Sequence, residues 1–303
     1  MSKPNLQVKL GKITLRNPVM PASGTFGIGS CELIDVNKIG AVVPKSVTLH
    51  PRDGNKTPRI AETTGGILNS IGIQSKGLEH FIKNDLQCYA KFNTPIMVSV
   101  SAYSVDEFKK MVEILDKEEA CSMIELNISC PNLEEGGKAF GMSEEATYKI
   151  VKEVRGITEK TIIPKLTPNV SDIVTIALAA QEGGADSIAL TNTYIGMAID
   201  VNTRKPKLGN IIGGLSGPAI KPISLRMVWQ VAQKVNLPII GIGGIANWED
   251  AIEYILAGAT AIQLGTYNFV NPNCMIDTVK GIEKYLVENG YSSVKDIIGK
   301  VEI

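Results

Sequence analysis

The sequence predicts a (β/α)8 barrel, in which eight parallel strands form a closed ring inside a layer of helices. Eight short apolar runs alternate along the chain with segments that carry helix signals. The runs are almost continuously apolar, which is typical of parallel strands covered by helices. An open doubly wound sheet is the alternative. Because barrels of about this length usually remain undivided, we expect residues 1–303 to form a single domain.

The elements follow in a regular order from the N-terminus. A short β-hairpin is predicted over residues 7–15, across the floor of the barrel. The eight predicted strands are NPVMPAS (17–23), AVVPKSVT (41–48), PIMVSVSA (95–102), MIELNIS (123–129), IIPKLTP (162–168), SIALTNT (187–193), PIIGIGGI (238–245) and AIQLGTY (261–267).

Several residues indicate where the intervening helices begin. Ser104 and Glu107 have the spacing of a capping box, and Ser171 and Asn247 are candidate N-caps. Three strands are entered through a glycine followed by alanine, which predicts a left-handed glycine at a helix end. These entries are IGAVV (39–43), GGADSIAL (183–190) and AGATAIQL (257–264).

Composition argues against several classes of protein. Lys+Arg and Asp+Glu number 31 each, so the overall charge does not favour binding to nucleic acid. The five cysteines are widely spread and the only histidines are His50 and His80, which argues against a metal site, an iron–sulfur cluster in this chain or a disulfide framework. The N-terminus lacks the pattern of a signal peptide, and no apolar run approaches the roughly 18 residues of a membrane span. We therefore expect a cytoplasmic protein.

In a barrel, the polar residues that end the strands meet at one mouth, where active sites of this fold lie. Lys45 and Lys165 lie within apolar strands, although lysine is rarely buried unless it is paired or functional. Each could reach solvent or pair with Glu125 or an aspartate. Two lysines at equivalent strand ends favour instead an anionic ligand, or a cofactor that acquires negative charge.

Glycines follow the last two predicted strands, in GIGGI (241–245) and QLGT (263–266), and GLSGP (214–218) could add another. Barrels often bind phosphate at the loops after these strands, through backbone N–H groups that glycine leaves accessible. The sequence therefore predicts a phosphate-bearing ligand. No GxGxxG motif follows any strand, so a dinucleotide-binding fold is not indicated.

Cys130 ends the stretch ELNISC, directly before a proline. It could be a small buried residue at a strand end, as free cysteines often are, or a reactive thiol at the mouth. The glycines and charges of LEEGGKAFGMS (133–143) fit a mobile lid over such a site.

Six stretches together resemble dihydroorotate dehydrogenases, flavoenzymes of pyrimidine synthesis. They are NPVMPASGTFG (17–27), VPKSVTLHPRDGNKTPRI (43–60), GGILNSIGIQ (65–74), ELNISCPN (125–132), IPKLTPN (163–169) and GIGGI (241–245). The resemblance covers nearly the whole chain. It implies a (β/α)8 barrel that binds one FMN per chain, holds no metal and oxidises dihydroorotate to orotate.

The resemblance also implies residue roles, with Cys130 as the catalytic base. The implied FMN contacts are Ser23, Lys45, Ser46, Ser99, Asn127, Lys165, Thr191, Gly217, Gly243, Gly244, Gly265 and Thr266. The implied substrate contacts are Lys45, Asn69, Ser70, Ile71, Gly72, Ile73, Asn127, Asn132, Asn192 and Thr193. Ser99 stands where relatives often place an asparagine, and its side chain has a shorter reach.

The subtype follows from the same resemblance. Cys130 differs from the serine base of the membrane-linked, quinone-reducing relatives and so favours the soluble types. Among these, PASGTFG (21–27) and PNLEEGGKAFG (131–141) resemble the NAD-linked type, in which a homodimer of this chain forms a heterotetramer with a subunit that carries FAD and a 2Fe-2S cluster. The first alternative is a fumarate-reducing homodimer. Others are a flavin barrel acting on RNA uridine (a dihydrouridine synthase), a lyase using Lys45 or Lys165 as a Schiff base, and a non-catalytic interaction subunit.

Overall fold

The computed structural model describes residues 3–129 and 140–303, which form an α/β fold. In chain order, the strands are β1 (Val8–Leu10), β2 (Ile13–Leu15), β3 (Val19–Pro21), β4 (Ile60–Thr63), β5 (Gly66–Asn69), β6 (Ile96–Val100), β7 (Cys121–Asn127), β8 (Thr161–Leu166), β9 (Ile188–Leu190), β10 (Tyr194–Met197), β11 (Ile199–Asp200), β12 (Lys205–Pro206), β13 (Ile212–Ser216), β14 (Ile239–Ile242) and β15 (Ala261–Leu264). The α-helices are α1 (Leu78–His80), α2 (Gln87–Tyr89), α3 (Val105–Asp116), α4 (Glu144–Arg155), α5 (Ile173–Glu182), α6 (Lys221–Ala232), α7 (Trp248–Leu256) and α8 (Cys274–Glu288), with a π-helix at Phe81–Leu86 between α1 and α2.

The core of the fold is a curled parallel sheet with the strand order β3-β15-β14-β9-β8-β7-β6. Residues 40–47 lie between its two edges. Gly40 N donates to Val19 O of β3 (2.7 Å), while Val42 and Val47 form parallel bridges with Ile96 and Val100 of β6. These contacts close the sheet into a barrel, as the sequence predicts.

The closing segment forms bridges rather than a regular strand. Pro44 lies between Val42 and Val47, and proline has no N–H to donate to a neighbouring strand. The ladder is therefore interrupted at Pro44 and resumes at Val47.

The N-terminal hairpin and two of the three predicted caps are confirmed. β1 and β2 pair antiparallel, with Val8 opposite Leu15. Ser104 accepts a hydrogen bond from Glu107 N (3.1 Å), and Asn247 accepts one from Asp250 N (2.8 Å).

The third predicted cap, Ser171, is wrong by one residue. α5 begins at Ile173, and its N-cap is Asp172, whose carboxylate accepts from Val174 N (2.8 Å). Aspartate and serine are about equally good caps, so the pattern alone does not choose between adjacent candidates.

Two of the three predicted helix-end glycines are confirmed, and the third is wrong. Gly184 and Gly258 have φ angles of +94° and +117°, which glycine adopts at little cost. Gly40 is not among the residues of positive φ, so that prediction is wrong. Its role is close approach, because a Cβ atom there would lie 2.2 Å from Asn17 O.

A second, antiparallel sheet that the sequence analysis did not predict has the order β10-β13-β5-β4. β11 and β12 extend β10 and β13 outward as a narrow ribbon. Along β10, β11 and the first residue after β11, every second side chain is apolar and exposed. Within the described residues, this apolar face is not covered. We call Ile195, Met197, Ile199 and Val201 the apolar ribbon.

The interior of the barrel is predominantly apolar but contains a group of polar side chains. Glu125 and Gln263 are fully buried, and Lys165 is 4% exposed. Across residues 3–129 and 140–303, every helix falls short of the length and apolarity needed for a membrane crossing.

Candidate active site

A cavity of about 830 Å³ opens at the carboxyl ends of the parallel strands. Side chains from the barrel form its floor, and residues of β4, β5, β10 and β13 form part of its wall. This volume is in the range of small-molecule and cofactor sites. The position is the one at which barrels of this type carry their active sites.

The cavity brings together most of the residues singled out in the sequence. Those that line it are Ser23, Lys45, Ser46, Asn69, Ser70, Ile71, Gly72, Ile73, Asn127, Lys165, Thr191, Asn192, Thr193, Gly217, Gly243, Gly244, Gly265 and Thr266. Cys130, Asn132 and residues 133–139 of the predicted lid lie outside the described residues.

Ser99 is not among the residues that line the cavity. It is fully buried, and its Oγ lies 2.8 Å from Oγ of Ser46, which does line the cavity. The short serine side chain therefore stands behind Ser46, whereas a direct ligand contact would need a longer side chain at this position.

Lys165 lies in the barrel floor with two hydrogen-bond partners. Its Nζ is 3.2 Å from Ser23 Oγ and 3.5 Å from Gln263 Oε1, and the nearer carboxylate oxygen of Glu125 is 4.0 Å away. An ammonium group has three donors. One N–H of Lys165 is therefore available to a ligand in the cavity.

Lys45 is half-buried in the cavity wall. Burial, and then the positive charge of Lys165, hold the pKa of Lys45 below its ordinary value. No aspartate or glutamate is among the described residues that line the cavity. The two lysines together therefore make the site favourable for an anion.

The asparagines of the cavity are joined in a chain of hydrogen bonds. Asn192 Nδ2 donates to Asn127 Oδ1 (3.1 Å), and Asn127 Nδ2 donates to Ser46 Oγ (3.3 Å). Thr193 N donates to Asn192 Oδ1 (2.8 Å). This chain fixes the orientation of both carboxamides and leaves each with an N–H for a ligand.

The glycines of the cavity present backbone amides. The N–H groups of Gly217, Gly244 and Gly265 donate to no other group within the described part of the chain. All three glycines line the cavity. Free backbone amides in a cavity can bind an anionic group such as phosphate.

Several cavity residues were missed by the sequence analysis as candidate site residues, notably Arg52, Asn55 and Asn169. Asn169 Nδ2 donates to Thr193 O (3.0 Å) and its Oδ1 accepts from Ile195 N (3.0 Å), which holds the loop before β10. The polar run HPRDGNK, directly after the second predicted strand, was the available signal for Arg52 and Asn55.

The chain on both sides of residues 130–139 lines the cavity. Ser129 donates through Oγ to Lys165 O (3.1 Å), and Met142 contributes to the rim. Gly141 N donates to Ile128 O (3.0 Å), so the two flanks are joined.

Comparison with known proteins identifies the family. A model of the family described as dihydroorotate dehydrogenase matches residues 5–286. The chain belongs to the dihydroorotate dehydrogenase family.

Individual members of the family are similar over their whole length. A protein of Bacteroides thetaiotaomicron is 49% identical, and one of Phocaeicola vulgatus is 50% identical, each over 301 residues that cover 99% of this chain and 99% of the relative. A protein of Geotalea uraniireducens is 50% identical over the same length, again covering 99% of each chain. All three are named dihydroorotate dehydrogenase B (NAD(+)), catalytic subunit.

Proposed function

We propose that this chain oxidises dihydroorotate to orotate with FMN held in the cavity, and that a partner subunit passes the electrons to NAD+. One observation carries the proposal. Two lysines, a chain of carboxamides and three free glycine amides converge on a single cavity in a member of the dihydroorotate dehydrogenase family. Each of these groups meets a different part of the cofactor or the substrate.

The residues present fit FMN. The free amides of Gly217, Gly244 and Gly265 suit its phosphate, and the available N–H of Lys165 suits a ring that gains negative charge on reduction. The remaining proposed contacts are Ser23, Lys45, Ser46, Asn127, Thr191, Gly243 and Thr266, with Ser99 acting through Ser46. When bound, FMN supplies the acceptor for the hydride that leaves the substrate.

The carboxamides and Lys45 account for recognition of the pyrimidine. A dihydroorotate ring presents alternating amide donors and acceptors, which Asn69, Asn127 and Asn192 can match because each carboxamide offers both. Lys45 neutralises the carboxylate of the substrate. Because the hydrogen bonds between the asparagines already fix their orientation, little entropy is lost when the substrate binds.

Cys130 is the proposed base. As a thiolate it takes the proton from the substrate carbon beside the carbonyl, while the neighbouring carbon loses hydride and the C=C bond of orotate forms. A thiol has an unperturbed pKa of about 8.5, near enough to neutral pH for this role. Cys130 directly follows Ser129, which lines the cavity. Neither His50 nor His80 is among the described residues that line the cavity.

Anaerobic rapid mixing with dihydroorotate tests the proposal. We expect the visible absorbance of FMN bound to the wild-type chain to bleach, and Cys130→Ala to slow this bleaching by about 10²- to 10⁴-fold at neutral pH, the usual effect of losing a general base. Cys130→Ala should still bind FMN and orotate, because the proposed contacts remain. Bleaching at the wild-type rate would remove Cys130 from the mechanism, and no bleaching of the wild type would remove the proposed reaction.

Reoxidation of the reduced protein identifies the electron acceptor. The relatives are named as catalytic subunits of an NAD(+)-linked enzyme. We propose a heterotetramer in which a homodimer of this chain binds a subunit that carries FAD and a 2Fe-2S cluster. The exposed apolar ribbon supports an interaction surface, since large exposed apolar patches usually mark one. Reoxidation by NAD+ only with the partner is expected; reoxidation of the isolated chain by fumarate would favour the alternative homodimer.

We place the protein in the cytoplasm. Cys31, Cys88, Cys121 and Cys274 are all free thiols. Unpaired cysteines are typical of a reducing compartment.

A further inference from the structure

A carboxylate lies beneath the cavity, in the interior of the barrel. Glu125 is on β7 two residues before Asn127, so both side chains point to the same face of the strand. Asn127 lines the cavity, whereas Glu125 is fully buried and does not. Glu125 is therefore one layer below the ligand site and cannot touch a ligand there.

Glu125 has only part of the hydrogen bonding that a carboxylate needs. Its Oε2 accepts from Gln263 Nε2 (3.1 Å), but its Oε1 has no hydrogen-bond partner among the described residues. That oxygen lies 4.0 Å from Lys165 Nζ. A buried carboxylate is strongly destabilising unless a charge compensates it, and Lys165 is the cation within reach.

Lys165 faces few other charged groups. Lys45, on the closing segment, is the second cation of the site, and its lowered pKa reflects burial first and then repulsion by Lys165. The other described side chains that contact the Glu125–Lys165 pair are neutral, namely Ser23 after β3 and Gln263 on β15, with Met97 on β6 behind Gln263. Glu125 is thus the anion that offsets this pair of lysines.

We propose that Glu125 is a positioning residue that acts as the fixed counter-ion of Lys165 and sets the charge that the cavity floor presents to reduced FMN. This inference rests on the proposed function. Gln263 holds the carboxylate through Nε2 and accepts from Lys165 through Oε1, so that the three side chains form one unit. The Glu125–Lys165 pair is neutral as a whole, and its positive end is the one nearer the ligand.

Removing the negative charge of Glu125 has a consequence of known sign. The cavity gains one net positive charge, which favours anionic reduced FMN over oxidised FMN. The midpoint potential of bound FMN should therefore rise.

The test is the midpoint potential of bound FMN, measured anaerobically at neutral pH. In Glu125→Gln, we expect the preference for reduced over oxidised FMN to rise about tenfold, a shift of about 30 mV for a two-electron couple. Glu125→Asp, which keeps the charge, should follow the wild type.

The matched control is Glu159→Gln. Glu159 also pairs with a lysine, Lys12 at 2.7 Å, but its side chain is 91% exposed. It precedes β8 and so lies at the opposite end of the barrel from the cavity. This variant loses the same charge and should leave the potential unchanged. A potential of Glu125→Gln equal to that of the wild type would overturn the inference.

A second measurement uses the chain without FMN and covers the case in which Glu125→Gln does not fold. Lys165→Met leaves Glu125 buried and uncompensated, so it should lower the melting temperature. Adding Glu125→Gln to Lys165→Met removes the second charge and should recover much of that loss. A double variant no more stable than Lys165→Met would overturn the pairing. A wild-type chain that binds no FMN would instead overturn the proposed function.

Discussion

The two lysines of the cavity illustrate how a buried site adjusts the chemistry of single residues. Lys165 has hydrogen-bond partners in Ser23 and Gln263 and an anion nearby, whereas Lys45 has a lowered pKa because burial and Lys165 both disfavour its charge. The fold therefore keeps a cation at a position where it is electrostatically unfavourable until an anion binds. An anionic substrate supplies the missing compensation.

The lowered pKa of Lys45 predicts the pH dependence of orotate binding. Lys45 loses its proton at a lower pH than an exposed lysine, so the affinity for the orotate carboxylate should fall by about tenfold as the pH rises through that lowered pKa, the loss of one charge-assisted hydrogen bond. In the free chain, the unfolded state binds the proton more tightly, so this group's contribution to stability rises with pH over the same interval.

Absorbance titration of orotate at a series of pH values checks this prediction. Lys45→Arg is the control, because arginine stays charged throughout and its affinity should not fall in the alkaline range. Equal alkaline losses of affinity in the two proteins would show that Lys45 does not bind the carboxylate.

At the scale of elements, the turn after β14 shows how strands and helices together position an amide that is proposed to bind phosphate. Gly243 and Gly244 have φ angles of +133° and +69°, and Tyr254 on α7 donates to Gly243 O (2.7 Å). A Cβ atom on Gly244 would lie 2.7 Å from Lys221 N at the start of α6. The turn is thus packed tightly between α6 and the cavity.

We expect Gly244→Ala to weaken FMN binding at least about tenfold, because the clash with α6 must displace the amide that is proposed to bind the phosphate. Gly290→Ala is the control, since Gly290 has a φ of +74° but no atom within 4 Å of the added Cβ. Both variants bear the backbone cost of about 1–2 kcal/mol for a left-handed residue. Titration of the FMN-free proteins with FMN measures the difference, and equal losses of affinity would contradict the role of the turn.

The barrel was predictable because each of its strands is a buried apolar run that ends in polar or glycine residues. The β10-β13-β5-β4 sheet was not predicted, because its strands are short, half-exposed and rich in glycine, and such strands are stabilised by their position over the mouth rather than by their own sequence. The start of α5 shows the same limit for a single residue. The sequence offered Ser171 as the N-cap, but the structure uses Asp172.

Only part of the candidate site was predictable from the sequence. Charged residues in apolar strands pointed to Lys45 and Lys165 without any comparison, because burial of charge has few explanations. Ser46 lines the cavity and Ser99 lies behind it. The sequence could not distinguish these two roles, because they depend on how the side chains pack. The role of Glu125 required coordinates for the same reason, since an acidic residue in a strand could equally face solvent.

For the whole molecule, the barrel places the residues proposed to bind substrate and cofactor at one end. The strand ends supply the lysines and asparagines, the turns after β14 and β15 supply free amides, and the small sheet walls the cavity. The chain carries equal numbers of acidic and basic residues, so the positive character is local to the site. The apolar ribbon begins at this same end, because its first member, Ile195, also lines the cavity.

A crystal structure of the chain with FMN and orotate tests the central claim most directly. We predict the FMN phosphate on the amides of Gly217, Gly244 and Gly265, the flavin ring against Lys165, and orotate between that ring and the sulfur of Cys130. A Cys130 sulfur remote from the orotate ring, or FMN bound outside this cavity, would contradict the proposed chemistry.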